Sequence, residues 1–388
     1  MHHPPSPDAG IYLDYQASTP VDPRVVAAMM PYFGVDFANP HSSEHYMGWR
    51  AADAVERARA QVAKAIGAVP REVVFTSGAT EANNLAILGA ARAAPRIRRR
   101  IAVSAIEHKC VLDAAGAAEA EGFEVLRISP RADGVVEPAA FARAVDERTA
   151  VVSIMAANNE IGTLQPIPEI AAVVRQSGAL FHTDAAQALA VSALSVDALG
   201  VDLLSLSAHK VYGPKGVGAL YVRHGVHLRP LMYGGGQESG LRPGTLPVPL
   251  CVGFGEACAI AVEQRESEVT RLRALSGTML AALRHACPEA RLNGSGEKRH
   301  PGNLNITFPG VDADMLIGTL QPYLAISSGS ACSNGMTGPS HVLLAIGLDP
   351  RDAAASIRIG IGRQTTEAQI YEAVRLIAEE VARLKLLA

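Results

Sequence analysis

Short apolar runs alternate with stretches of helical periodicity over the first two thirds of the chain. Apolar side chains recur at helical spacing over residues 49–67, 110–121 and 167–177. The apolar runs between and around them, most ending in polar residues, lie in REVVFTSG, RIAVSAIEH, FEVLRIS, TAVVSIMAANNE, ALFHTDAAQ and VDLLSLSAHK. This alternation predicts an α/β fold with a mostly parallel sheet flanked by helices on both faces.

The pattern changes after about residue 255. A long helical stretch over 256–286 is followed by the strand-like NLNITF and SIRIGIG and by an amphipathic helix from about Glu367 to Leu386. These elements predict a second, smaller α/β domain at the C-terminal end. We therefore predict a large domain over residues 13–262 and a small domain over 263–388, which also takes in the N-terminal segment 1–12.

The predicted strands of the large domain end in polar residues. Ligands of parallel sheets bind beyond the carboxyl ends of the strands, so this edge is where a site is expected. One polar strand end would be ordinary, but several of these carry chemically versatile side chains, in SGATE, EHK, NNE, DAAQ and SAHK. The pattern predicts a ligand site at this edge.

Composition narrows the class of protein. The 388 residues carry a net charge of −3, which does not favour direct binding to nucleic acid or to an anionic membrane. The chain has five cysteines and no CxxC, which disfavours a disulfide framework or a zinc ribbon, and no segment reaches the ~18 apolar residues of a membrane span. We predict a soluble cytoplasmic protein without a metal site, because His41 and His45 lie in the loop-like NPHSSEHY.

Three segments carry candidate chemistry. Lys210 follows a predicted strand and precedes a glycine-rich run, a setting in which a partly buried lysine can act as a Schiff-base nucleophile. Asp184 follows another strand; it would either pair with a protonated pyridine nitrogen or cap the next helix. Residues 77–84, SGATEANN, run into a helix whose first N–H groups could bind a phosphate.

Cys332 stands apart from the other cysteines. It lies in SSGSACSNG, among small and polar residues that cannot build a core around it. The segment therefore predicts an accessible, reactive thiol. The other four cysteines lie in more apolar or helical context and are predicted to be structural: Cys110, Cys251, Cys258 and Cys287.

Taken together, the motifs identify a family. The chain resembles the cysteine desulfurases of the NifS/IscS type, which are pyridoxal 5'-phosphate enzymes of the class V aminotransferase family and of fold type I. The resemblance covers nearly the whole chain and is carried by YLDYQASTPVDP, NPHSSEHYMGWRA, VFTSGATEANN, EHK, NNEIGTLQPI, HTDAAQ, SLSAHKVYGPKGVGALYVR, GGGQESGLRPGTLPV, SSGSAC and SIRIGIGR.

The resemblance implies roles for individual residues at the cofactor. Lys210 would hold the cofactor covalently and later move a proton, and His108 would stack on its ring. Asp184 would keep the ring nitrogen protonated, while Gln187 would bond the ring hydroxyl. The cofactor phosphate would be bound by Ala79, Thr80, Ser207, His209 and, from a second subunit, Thr245. The last role requires a homodimer.

The resemblance also implies a reaction. Asn159 and Arg358 would bind the carboxylate of L-cysteine, and a planar guanidinium suits that task. Cys332 would take the substrate sulfur as a persulfide and leave L-alanine. SSGSAC followed by a polar segment resembles the relatives with a longer, mobile cysteine loop, which hand sulfur to a scaffold or carrier protein.

Other functions remain open from sequence. The acceptor could serve iron–sulfur cluster assembly or thio-modification of nucleic acid. A selenocysteine lyase or another class V enzyme is an alternative, although a transaminase has no need of Cys332. A scaffold that has lost activity is a third reading, against which Lys210, Asp184, His108 and Cys332 all speak.

Overall fold

The computed structural model describes residues 10–328 and 338–387, so Cys332 and its predicted loop lie outside the described residues. The strands are β1 (Ile11–Tyr12), β2 (Val73–Thr76), β3 (Arg100–Ser104), β4 (Glu124–Ile128), β5 (Thr149–Ser153), β6 (Leu180–Asp184), β7 (Leu203–Ser207), β8 (Gly218–Val222), β9 (Arg291–Leu292), β10 (Asn303–Thr307), β11 (Leu324–Ala325) and β12 (Ser356–Gly360). The helices are α1 (Pro23–Met29), α2 (Tyr46–Ala65), α3 (Ala79–Ala93), α4 (Lys109–Ala120), α5 (Pro138–Ala144), α6 (Ile167–Ser177), α7 (Val196–Leu199), α8 (Val248–Ala286), α9 (Ala313–Leu320), α10 (His341–Ala345), α11 (Pro350–Ala354) and α12 (Glu367–Lys385).

Seven strands form the main sheet, in the order β2-β8-β7-β6-β5-β3-β4. Strand β8 runs antiparallel to both of its neighbours, and the other pairs are parallel. The central strands are apolar on both faces: Val151 belongs to the hydrophobic cluster that includes α3 and α4, and Val152 to the cluster that includes α2, α6 and α8. The predicted α/β fold with a mostly parallel sheet is confirmed.

A separate hydrophobic cluster lies in the C-terminal part of the chain. Strands β12, β10 and β9 form an antiparallel sheet, and the short strands β1 and β11 pair in parallel. Their buried residues pack with those of α9, α12 and the C-terminal half of α8. Leu13 belongs to this cluster, although the predicted division places it in the large domain.

Helix α8 begins earlier than the sequence pattern predicts, at Val248 rather than near residue 256. Prolines are tolerated in the first turn of a helix, where the missing N–H has no intrahelical partner, so the helix extends through Pro249. Gly255 lies where α8 meets α2. A Cβ there would stand 2.7 Å from the Cα of Ala58, so only glycine permits this close crossing.

His45 has a structural task. It is the N-cap of α2, and its Nδ1 accepts the N–H of Gly48 at 3.1 Å. Across residues 10–328 and 338–387, no group of three or more His, Cys, Asp or Glu side chains is arranged to hold a metal ion. Within the same ranges, no helix combines the length and apolar character needed to cross a membrane.

Candidate active site

The ends of the main-sheet strands meet around a cavity of about 460 Å³. Ten of the predicted site residues line it: Ala79, Thr80, His108, Asn159, Asp184, Gln187, Ser207, His209, Lys210 and Arg358. Thr245 is exposed and does not line the cavity within this chain, and its role in a second subunit stays a prediction. The structure thus brings together residues that lie more than 270 positions apart in the sequence.

Lys210 ends the short 3₁₀ turn that follows β7. Its ammonium donates to the backbone carbonyl oxygens of Gln16 at 2.5 Å and Ala17 at 2.9 Å, so the N-terminal segment forms one wall of the cavity. The neighbouring His209 contacts the hydroxyl of Ser18 at 3.3 Å between Nδ1 and Oγ. Burial, together with the positive charge of Lys210, lowers the pKa of His209 to about 4, and the ring is therefore neutral at pH 7.

Asp184 closes strand β6 and is only 6% exposed. Its Oδ2 accepts a hydrogen bond from Nδ2 of Asn83 at 2.7 Å, and its Oδ1 accepts the N–H of Ala186 at 2.9 Å. A turn, not a helix, follows. One oxygen therefore caps a turn while the carboxylate faces the cavity, and no Lys, Arg or His of the described residues forms a salt bridge with it.

His108 is the N-cap of α4. Its Nδ1 accepts the backbone N–H of Cys110 at 3.2 Å and lies 2.9 Å from the Sγ of the same residue. Burial lowers the pKa of His108, and although Asp184 raises it, the positive charge of Lys210 lowers it again. The net shift is downward, so a neutral imidazole faces the cavity at pH 7.

The N-terminus of α3 opens onto the same cavity. Its N-cap is Gly78, whose lack of a side chain leaves no cap for the first N–H groups of the helix, those of Ala79 and Thr80. Glu81, in the first turn, is engaged elsewhere: its carboxylate accepts the N–H of Ser77 at 2.7 Å and Nε of Arg242 at 2.9 Å. The helix start is therefore a site for an anion.

Arg358 on β12 is 1% exposed and reaches the cavity from the second sheet. One NH2 group donates to Asp14 Oδ1 at 2.7 Å, and NH1 donates to the backbone oxygen of Asn159 at 3.2 Å. The Oγ of Ser327 also donates to Asp14, at 3.1 Å, and Ser327 exchanges both backbone hydrogen bonds with Arg358. Asp14 therefore holds the guanidinium in place.

Residues on the far side of the cysteine segment are anchored beside the same cavity. Ser340, the N-cap of α10, donates its hydroxyl to Oε2 of the buried Glu160 at 2.5 Å. The next residue, His341, contacts the backbone oxygen of Glu107 at 3.0 Å through Nε2. Glu160 directly follows Asn159, so this anchor joins α10 to a loop that lines the cavity.

The cavity fits pyridoxal 5'-phosphate by its chemistry. Asp184 offers a buried carboxylate to a protonated ring nitrogen, the start of α3 offers N–H groups to a phosphate, and Lys210 adds an amine to the same cavity. The neutral ring of His108 supplies a face for stacking. A ring that carries a basic nitrogen at one end and a phosphate at another matches these three positions.

Comparison with known proteins agrees with the site. The family described as Aminotransferase class-V matches residues 11–372, and the chain belongs to this family of pyridoxal-phosphate-dependent enzymes. A cysteine desulfurase IscS of Rickettsia bellii is 46% identical over 377 residues, covering 97% of this chain and 92% of that protein. Within the class V family, the chain belongs to the cysteine desulfurases.

Solved structures show the same fold. A NifS-like protein is 36% identical, with a TM-score of 0.91, and the match covers 97% of this chain and all of that one. A structure described as SspA in complex with cysteine is 41% identical, with a TM-score of 0.78 over 90% of this chain and 98% of that one. The predicted fold class of NifS-like enzymes is confirmed.

Sequence reasoning missed several residues that line the site or support it. Gln16 and Ala17 were not singled out, because nothing local shows that their carbonyl oxygens meet Lys210. Cys110 is buried, as predicted for a structural cysteine, yet it also lines the cavity. Its position two residues after His108, at a helix start, was the available signal. Asn83, inside SGATEANN, gave no sign of its contact with Asp184.

Proposed function

We propose that the protein removes sulfur from L-cysteine, releases L-alanine and carries the sulfur as a persulfide on Cys332. The observation that carries this proposal is the convergence of Lys210, Asp184 and Arg358 on one cavity. A lysine amine, a buried carboxylate and a guanidinium are the groups that this cofactor and an amino-acid substrate require. The cysteine desulfurases among the relatives, and the cysteine bound in a related structure, support the choice of substrate.

Arg358 binds the substrate carboxylate in this proposal. Its bonds to Asp14 and to the backbone of Asn159 fix the plane of the guanidinium, while its buried Nε has no partner among the described residues. A carboxylate that accepts two N–H bonds from such a fork is held in one orientation. The side chain of Asn159 is proposed as a second donor to the same carboxylate.

Lys210 and His108 handle the cofactor and the proton. Pyridoxal 5'-phosphate, when bound, withdraws electrons from the substrate and so weakens its bonds at Cα and Cβ. Lys210 holds the cofactor and, once the substrate takes its place, moves a proton at the substrate Cα. The neutral His108 would pack against the ring, and Gln187, which donates to the carbonyl oxygen of Gln16 at 2.9 Å, would bond the ring hydroxyl.

The sulfur step conserves atoms and electrons. The Cβ–S bond of L-cysteine breaks while an S–S bond to Cys332 forms, and the proton of the Cys332 thiol replaces the sulfur in L-alanine. No external oxidant is needed, because the two electrons lost when sulfur forms the S–S bond are taken up by Cβ, whose C–S bond is replaced by a C–H bond. A thiol has an ordinary pKa of ~8.5, so Cys332 must lose its proton to attack.

A homodimer is part of the proposal. Large apolar side chains near the N-terminal end are exposed, including Phe33 at 61%, Val35 at 74%, Phe37 at 67% and Trp49 at 59%. Such a concentration is typical of an interface. Thr245, exposed on its own chain, would then reach the phosphate site of the partner, and a two-domain division at residues 262/263 would leave this contact within the large domains.

The remaining features are also proposals. The persulfide is passed to an acceptor protein that serves iron–sulfur cluster assembly or thio-modification of nucleic acid, in the cytoplasm. The class of acceptor follows from Cys332 and its flanking sequence, SSGSAC, which lie mostly outside the described residues.

The test mixes the purified, cofactor-loaded protein with L-cysteine and a reductant and quantifies alanine and sulfide. Equal amounts of both are expected. Cys332→Ala should keep the visible absorbance of the bound cofactor and lose sulfide release. Cys287 is a buried thiol outside the cavity, so Cys287→Ser should keep both the absorbance and the sulfide release. Alanine without sulfide, or full sulfide release by Cys332→Ala, would contradict the proposal.

Four further measurements test the separate parts of the proposal. Lys210→Ala should abolish turnover while the protein still folds, and normal turnover would remove Lys210 from the mechanism. Comparing kcat/KM for L-cysteine and L-selenocysteine decides between the desulfurase and the selenocysteine lyase. Light scattering decides the dimer, and Thr245→Ala should then weaken cofactor binding.

A further inference from the structure

Two buried residues connect Asp184 with His108. Asn83 on α3 is 0% exposed, and its Nδ2 donates to Asp184 at 2.7 Å and to the Sγ of Cys110 at 3.2 Å. The Sγ of Cys110 lies 2.9 Å from Nδ1 of His108. A continuous chain of hydrogen bonds therefore runs from the carboxylate at one part of the cavity to the imidazole at another, through two side chains that the proposed mechanism does not use.

The direction of each bond in this chain is fixed by chemistry. The carboxylate of Asp184 only accepts, so the amide of Asn83 must present its NH2 group to it rather than its oxygen. That NH2 group has two protons, one for Asp184 and one for Cys110. The thiol thus accepts from Asn83, and it also has a side-chain hydrogen bond with Thr80. Because Nδ1 of His108 already accepts the backbone N–H of Cys110, the thiol is the donor in its contact with Nδ1.

The same geometry decides where the proton of His108 sits. Nδ1 faces two donors, the thiol of Cys110 at 2.9 Å and the backbone N–H of the same residue at 3.2 Å. A ring nitrogen that receives donors carries no proton of its own, so the proton of the neutral ring lies on Nε2. Burial raises the pKa of the Cys110 thiol to about 12, which keeps it a donor at neutral pH.

We propose that Asn83 and Cys110 are positioning residues: Asn83 orients the carboxylate of Asp184, and Cys110 holds His108 in the tautomer with its proton on Nε2. The proposal rests on the proposed function for the meaning of Asp184 and His108 as cofactor-binding residues. It adds that a thiol assigned only a packing role by its sequence context acts together with the backbone N–H of the same residue on Nδ1 of His108.

The first test reads the tautomer directly. The nitrogen chemical shifts of His108 are measured in the cofactor-loaded protein labelled with ¹⁵N-histidine, and the signal is assigned by its loss in His108→Asn. The native protein should show Nε2 protonated and Nδ1 unprotonated. Cys110→Ala keeps the backbone N–H that donates to Nδ1, so the Nε2 tautomer should persist, but loss of the thiol bond should shift the Nδ1 signal. Cys110→Ser, whose hydroxyl both donates and accepts, should restore the native shift.

Cys258 supplies the matched control. It is a fully buried thiol on α8, and burial alone raises its pKa, since no titratable side chain adds to the effect. Cys258→Ala should leave the His108 signals unchanged, even if it lowers stability. Identical His108 shifts in the native protein and in Cys110→Ala would overturn the assignment of Cys110.

The second test concerns Asn83. Removing a hydrogen bond to a charged group costs ~1.5 kcal/mol, so Asn83→Ala should weaken pyridoxal 5'-phosphate binding by about tenfold in a titration of the cofactor-free protein. Asn84→Ala is the control, because its side chain donates only to the backbone oxygen of Thr80 on an exposed surface. Equal affinities for the two variants would overturn the role of Asn83.

The outcomes separate this inference from the proposed function. Failure of the native protein to bind the cofactor or to release sulfide would refute the proposed function. Normal binding and sulfide release, combined with unchanged His108 shifts in Cys110→Ala and unchanged affinity in Asn83→Ala, would refute the positioning roles alone.

Discussion

Two buried arginines, one on α2 and one on β12, are bonded very differently. Arg59 has a partner for each of its nitrogens: Nε donates to Glu56, NH1 donates to the backbone oxygen of Val73, and NH1 and NH2 together form a fork on Glu238 at 2.8 and 2.7 Å. The guanidinium also lies over the ring of Phe75. All three nitrogens of this guanidinium are therefore held by the protein.

Arg358 is just as buried but only partly bonded. It donates to Asp14 and to the backbone oxygen of Asn159, and its Nε has no partner in the described part of the chain. Buried polar groups are normally satisfied, so an incomplete set beside a cavity indicates a group that binds something. The two arginines show that the number of bonds, rather than burial, distinguishes a structural cation from a binding one.

Arg59 supports a backbone segment of unusual conformation. Glu238 and Ser239 both have positive φ, of 49° and 56°, in the segment that leads to Thr245. Such conformations are costly for residues other than glycine and need support from their surroundings. The fork to Arg59, together with the N–H of Phe75, which donates to Glu238 at 2.6 Å, provides that support.

The largest expected effect comes from removing the hydrogen bonds of Arg59. Arg59→Met leaves Glu238 buried without its cation, which should lower the free energy of unfolding by about 3–5 kcal/mol. Chemical denaturation measures the loss. Arg57→Ala on the same helix removes only an exposed pair with Asp53 and should cost less than about 0.5 kcal/mol. Equal losses in the two variants would contradict the structural role of Arg59.

Substitution of Arg358, which is only partly bonded, should lower enzymatic activity rather than stability. Arg358→Lys keeps a cation for Asp14 but loses the planar fork, so two charge-assisted bonds to the substrate carboxylate are weakened. We expect kcat/KM for L-cysteine to fall about 100-fold, at ~1.5 kcal/mol for each bond, mainly through KM. Steady-state kinetics measures it. An unchanged KM would remove Arg358 from the substrate site.

A buried carboxyl without a cation extends the comparison. Glu107 is fully buried, its Oε1 accepts the N–H of Met155 at 2.6 Å, and its Oε2 has no partner within the described ranges. Burial, and then the charge of Asp184, raises the pKa of Glu107 well above its ordinary value. Glu238 has Arg59 beside it, whereas Glu107 has no cation, and its burial shifts it toward the protonated form, which avoids the cost of a buried charge.

The pH dependence follows from that raised pKa. Protonated Glu107 contributes its full stability below the pKa of the unfolded carboxyl, and this contribution declines as pH rises toward the folded-state pKa, by about 1.4 kcal/mol per pH unit. Glu107→Gln should therefore flatten the decline in denaturation midpoint as pH rises above the ordinary carboxyl range. Glu119→Gln, at an exposed position, should reproduce the native slope. Native-like slopes in both variants would show that Glu107 ionises in the folded protein.

The sequence predicts elements whose signals are local. The helices over 110–121 and 167–177 were found within one residue of Lys109–Ala120 and Ile167–Ser177, because their periodicity and ends are written in adjacent residues. The reversed direction of β8 was not predicted, since no local pattern distinguishes an antiparallel strand from a parallel one when both faces are buried.

The site was predictable only as far as its motifs are contiguous. Asp184 could be assigned either to a cap or to a cofactor because its two oxygens in fact take different partners. The contact between Asn83 and Asp184 joins residues 101 positions apart and leaves no local trace. The division at residues 262/263 remains a prediction, because α8 contributes buried side chains to both hydrophobic clusters, such as Ala261 and Leu272.

The anchors of the cysteine segment have a consequence for engineering and for divergence. Ser327 is tied to Arg358 on one side, and Ser340 is tied to Glu160 on the other, so both attachment points are set by residues at the substrate cavity. Changing the length of a connection between fixed points costs little, about 0.6 kcal/mol for each doubling. The stretch between these serines, which contains Cys332, therefore joins two fixed points, and under the proposed function its length can change without displacing Arg358 or Glu160.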